Sequence, residues 1–68
     1  MQSAYETWIN APVILQVIAG ELRVPLRGTI VREEADAIIF RVNDGWELEI
    51  YKSMVLAVEE ENWVTSIT

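Results

Sequence analysis

Apolar positions along the chain follow two periods, a helical one at the start and a two-residue one everywhere after it. Tyr5, Trp8 and Ile9 fall at i, i+3 and i+4, the spacing that gives a helix one apolar stripe. Ser3 and Glu6 have the Ser-x-x-Glu spacing of a capping box, in which each side chain satisfies a backbone N–H at a helix start. These signals predict a short helix over about residues 3–10, stopped by Pro12, whose ring and missing N–H cannot continue it. From Val13 to Ile18 the residues are nearly all apolar, the signature of a strand covered on both faces.

Ala19-Gly20-Glu21 reads as a turn. The next segment alternates, with Leu22, Val24 and Leu26 on one face and Arg23, Pro25 and Arg27 on the other, before Gly28 permits a bend into Thr29-Ile30-Val31. A long, bent strand is implied, with Pro25 at an edge or bulge because it has no ladder donor. Arg32 to Asp36 forms a charged turn, after which Ile38, Phe40 and Val42 alternate with Ala37, Ile39 and Arg41. Asn43-Asp44-Gly45 closes a hairpin, since Asp-Gly supplies the positive φ angles such turns need. On the return strand Trp46, Leu48 and Ile50 are expected inward and Glu47, Glu49 and Tyr51 outward. Ser53 is a short connector. Met54 to Val58 suits either a fifth strand or a helix capped by Ser53; Val55 and Val58 favour the strand. Glu59-Glu60-Glu61 ends the regular structure.

A short helix and five short strands, the second long and bent, describe a mostly β, strongly bent, five-stranded antiparallel barrel. The chain is read as a single domain, 1–68, with the barrel over about residues 13–59 and a tail at 60–68. Helix, five strands, Gly28 with an acidic turn before Ala37-Ile38-Ile39-Phe40, a hairpin, and Tyr51-Lys52-Ser53 leading into the last strand together resemble the Sm-like family, nearest its bacterial RNA-chaperone (Hfq) branch. The resemblance covers about Ser3 to Glu59. It implies a homo-oligomeric ring of five to seven subunits in which the fourth strand of one copy pairs with the fifth of the next. Ile50, Tyr51, Val55, Leu56, Ala57 and Val58 would then lie in the interface. It further implies single-stranded RNA binding in the pore or on one face by Tyr51, Lys52 and Ser53, with Ser53 standing where that branch has a His. Gln16 matches a polar pore-side position on the first strand.

Composition bears on each of these expectations. A chain of 68 residues with no Cys and no His has neither disulfide nor structural zinc to reinforce a small core, so oligomerisation is the remaining remedy. An apolar fraction of 51% is more than one tiny core hides, which also favours an interface. Trp63, outside the periodic region, is the best tryptophan for a subunit contact. Eleven acidic against five basic residues give a net charge of −6, which opposes nonspecific RNA binding and any anionic membrane surface.

Arg23, Arg27, Arg32 and Arg41 could contact phosphate along a rim, Arg32 being the RNA candidate among them, but cross-strand pairing with Glu47 and Glu49 is the more ordinary role. Lys52 has its own ordinary alternative, a solvated strand end. No apolar run approaches the length of a membrane span and no signal-peptide pattern opens the chain, so the expectation is a cytoplasmic protein. With no His or Cys, no Ser beside a base and no Gly-rich phosphate loop, neither an enzyme nor a cofactor or metal site is expected. Besides the RNA-binding ring, two alternatives remain: a module that binds a protein partner at an edge or aromatic groove, and a ring whose role is structural.

Overall fold

The computed structural model describes residues 5–43 and 45–60. Five strands form one antiparallel sheet: β1 (Pro12–Ala19), β2 (Leu22–Glu33), β3 (Ala37–Val42), β4 (Glu47–Tyr51) and β5 (Val55–Glu60). Their spatial order is β4-β3-β2-β1-β5. The mostly β, five-stranded architecture expected from the alternation is present, with β2 the longest strand. Of the segment Met54 to Val58, all but Met54 is strand: a 3-10 turn at Lys52–Met54 leads into β5 at Val55.

The N-terminal helix is much shorter than the sequence suggests. It is a three-residue 3-10 turn, Glu6–Trp8, and Ser3 of the supposed capping box lies outside the described residues. Asn10 takes a left-handed conformation (φ 68°) and its amide donates to the Ile30 carbonyl at 2.9 Å. Asparagine tolerates that conformation better than most residues, and the reversal feeds the chain into β1 before a second helical turn can form. The apolar stripe nevertheless does what its spacing implied, because Tyr5, Trp8 and Ile9 all pack against the core.

Residues paired across the ladders share a face, so the registers sort the side chains. Val13, Leu15 and Val17 of β1, Ile30 of β2, Ile38 and Phe40 of β3 and Ile50 of β4 form the buried core. β1 is covered on one face only, which corrects the expectation drawn from its continuous apolar run: Ile14 and Gln16 are half-buried and Ile18 is exposed. Gly28 is buried at the centre of β2, facing Val13 on one side and Val42 on the other. A bulge between Ile30 and Arg32 adds to the bend begun there.

Two further expectations are corrected. The sheet is not closed: β5 pairs with β1 and β4 with β3, which leaves β4 and β5 at opposite edges. Alternation specifies which face is buried, whereas closure depends on the tilt and stagger accumulated over all strands. Trp46 is not inward and buried but 71% exposed, and Leu48 in phase with it is 40% exposed. The Trp46 carbonyl accepts from the Val42 amide at 2.9 Å, so Trp46 sits at the hairpin end, past the last buried residue, and no strand flanks it on the far side. Gly45 carries the positive φ that the hairpin requires (98°); Asp44 is outside the described residues. β5 runs through Glu60, one residue into the supposed tail, and the Trp63 contact lies outside the described residues.

Candidate functional site

The residues expected to act do not form one site; they are spread over separate places in the fold. Tyr51, Lys52 and Ser53 occupy the corner where β4 ends and the 3-10 turn into β5 begins. Tyr51 is 56% exposed, opposite Ala37 on β3, and Ser53 is exposed. Lys52 is turned the other way. Its ammonium pairs with the Glu33 carboxylate at the end of β2 and lies 5.7 Å from the centre of the Tyr5 ring, within cation–π range. Its amide donates to the Asp36 carbonyl at 2.9 Å. Both partners of the ion pair are partly shielded, with side-chain exposures of 28% for Lys52 and 17% for Glu33, so this pair is more than a surface contact.

That corner ties the N-terminal turn, the β2–β3 turn and the β4–β5 turn together, and sequence reasoning missed it. Glu33 and Lys52 are 19 residues apart, and no local pattern signals that they meet. Lys52→Ala removes the charge that a partly buried Glu33 faces and is expected to cost about 1–3 kcal/mol in chemical denaturation; a loss below about 0.5 kcal/mol would show the corner to be solvated. Burial raises the Tyr5 pKa above its ordinary 10.0, the Lys52 ammonium partly offsets this, and Glu33 adds to the rise. Below about pH 10 the phenol is protonated in both folded and unfolded chains. Above it the unfolded chain loses the proton first, so stability falls as pH rises. Tyr5→Phe is expected to flatten that alkaline decline, read from denaturation midpoints between about pH 9 and 11.

Gln16 and Arg32 are not part of the corner. Gln16, opposite Pro25 on β2 and Ala57 on β5, lines an open groove with Ile14, Arg27, Val42, Asn43 and Glu59 among its walls. Arg32 pairs with Glu34 at 3.3 Å, and Arg41 with its cross-strand neighbour Glu47 at 2.7 Å. Arg32, Arg41 and Lys52 therefore all face carboxylates. Among the described residues no three potential metal ligands converge, and no helix is long and apolar enough to cross a membrane.

The interface candidates lie on the two edge strands. On β4, Ile50 is 7% exposed and belongs to the core, while Leu48 and Tyr51 are exposed. On β5, Val55 and Val58 are half-buried and Ala57 is exposed. Leu56 is 48% exposed because the β1 ladder skips it: Gln16 pairs with Ala57 and Val17 with Val55. Comparison of the chain with protein-family models, curated proteins and solved structures gave no match.

Proposed function

We propose that this protein is an assembly module that associates edge to edge with copies of itself, β4 of one copy pairing with β5 of the next in a closed ring. The observation that carries the reading is the strand order, which among the described residues leaves β4 and β5 as the two edges of one sheet, with exposed apolar side chains on both: Leu48 and Tyr51 on one, Leu56 on the other. Unpaired, apolar edges invite strand addition, and heterologous edge pairing gives a ring where the rotation between copies closes and a filament where it does not. Glu47 and Glu49 on β4 and Glu59 and Glu60 on β5 disfavour registers that set like charges opposite one another, which narrows the choice of partner. A core this small, eight buried apolar residues among those described, gains from a partner that covers the edges.

Leu56→Asp places a charge on the β5 edge at a position the monomer's own ladder does not use. It is expected to reduce the native mass to 7.8 kDa with little change in monomer stability; an unchanged oligomer would remove β5 from the interface.

RNA binding is the second reading, favoured by the exposed Tyr51 ring beside Ser53, since an aromatic face stacks on any base. Tyr51→Ala is a cleaner probe of it than any change at Lys52, whose ammonium is held by Glu33. A uridine-rich oligonucleotide that binds the protein and loses affinity on Tyr51→Ala supports this reading; one that fails to bind at low salt ends it.

A further inference from the structure

The sheet has a third unpaired stretch besides β4 and β5. The β2–β3 ladder ends at the pair Gly28 and Val42, while β2 continues back to Leu22 with, among the described residues, β1 alone beside it. The Asn43 amide donates to the Arg27 carbonyl at 3.2 Å, which fixes how this stretch is oriented. The backbone polar groups of Arg27 face the side β3 has left, and by the alternation of a strand so do those of Pro25 and Arg23. Pro25 therefore sits with its absent N–H on the open side. Nothing in the monomer requires a donor there, so the proline costs the fold no ladder bond.

The same stretch is otherwise well suited to receive a strand. It is extended and flanked by exposed apolar side chains, Leu22 at 68% and Ile18 at 37%. An incoming strand would draw on the open-side backbone groups of Arg23 and Pro25, the Arg27 carbonyl being already occupied by Asn43, and of these two residues Pro25 has no N–H to offer. We propose that Pro25 is a specificity residue for assembly: it withholds the central donor of this third edge and so confines strand pairing to β4 and β5. A proline at an outward-facing edge position is one of the ways proteins block unwanted strand addition. The inference rests on the edge-assembly reading only in naming which edges remain open.

The test compares native mass for the wild-type chain, Pro25→Ala, Pro25→Val and a synthetic chain carrying N-methylalanine at position 25, each checked for folding by thermal unfolding. Alanine and valine restore the donor; N-methylalanine does not. The expected result is that Pro25→Ala and Pro25→Val shift to a broad distribution whose average mass at least doubles and grows with concentration, while the N-methylalanine chain matches wild type. Identical masses for all four chains would overturn the proposal. So would an N-methylalanine chain that associates like the alanine variant, because the ring would then act by shape and not by the missing donor. A wild-type chain that stays monomeric would refute β4–β5 pairing and leave the role of Pro25 to be decided by whether Pro25→Ala associates.

Discussion

Replacing Gly28 with alanine is expected to remove roughly 3 kcal/mol or more of stability, and replacing it with valine to abolish folding. The backbone of β2 passes so close to β3 at this point that a Cβ on Gly28 would lie 2.1 Å from the Arg41 carbonyl oxygen and 2.9 Å from the Val42 Cα. Both obstacles are main chain, so no rotamer change relieves them. β3 would have to move away, which breaks the pairing of Gly28 with Val42 and of Thr29 with Arg41 and opens the core at Phe40. Native stabilities of roughly 0.05–0.15 kcal/mol per residue leave a domain this small little reserve. A denaturation midpoint for Gly28→Ala within about 0.5 kcal/mol of wild type would show that β2 and β3 do not approach this closely.

Phe40→Ala is expected to cost about 3–5 kcal/mol, the range for deleting a fully buried aromatic ring. Phe40 is completely inaccessible and lies between Ile30 on β2 and Leu48 on β4. Leu48, next to it in register but 40% exposed, provides the informative contrast. In the isolated monomer Leu48→Ala is expected to cost about 1 kcal/mol, because much of its surface is already in water. If edge pairing covers β4, the cost of Leu48→Ala rises with protein concentration while that of Phe40→Ala does not. A Phe40→Ala loss below about 1.5 kcal/mol would contradict the core described above.

The parts of the fold written in local pattern were legible in the sequence. The two-residue period located β2, β3 and β4, the continuous apolar run located β1 and the β-preferring Val55 and Val58 pointed to β5, while Gly28 marked the bend and Gly45 the hairpin turn. Pro25 was expected at an edge or bulge, and it lies on β2 beyond the end of the β2–β3 ladder, where β1 pairs with it. Where the sequence misled, the deciding factor was not local. The stripe of Tyr5, Trp8 and Ile9 needed a surface, and a single 3-10 turn ending in a left-handed Asn10 supplies the same contact that a longer helix would.

The continuous apolar run of β1 suggested two covered faces, but on the second face Ile14 and Gln16 line an open groove and Ile18 is exposed. Trp46 shares its phase with Ile50, yet phase says only which face a residue takes and not how far the core extends beneath it. The candidate site was less legible than the fold. Tyr51, Lys52 and Ser53 were found as a sequence motif, but whether Lys52 points outward depends on Glu33, a residue whose meeting with it is set by the registers of β2, β3 and β4 together.

The most direct test of edge-to-edge assembly is the native mass of the full chain, measured by light scattering behind a sizing column from low to high micromolar concentration. The expected result is one discrete species at an integral multiple of 7.8 kDa, unchanged across that range because a closed ring has no free edge left to extend. A single species at 7.8 kDa at every concentration would contradict it.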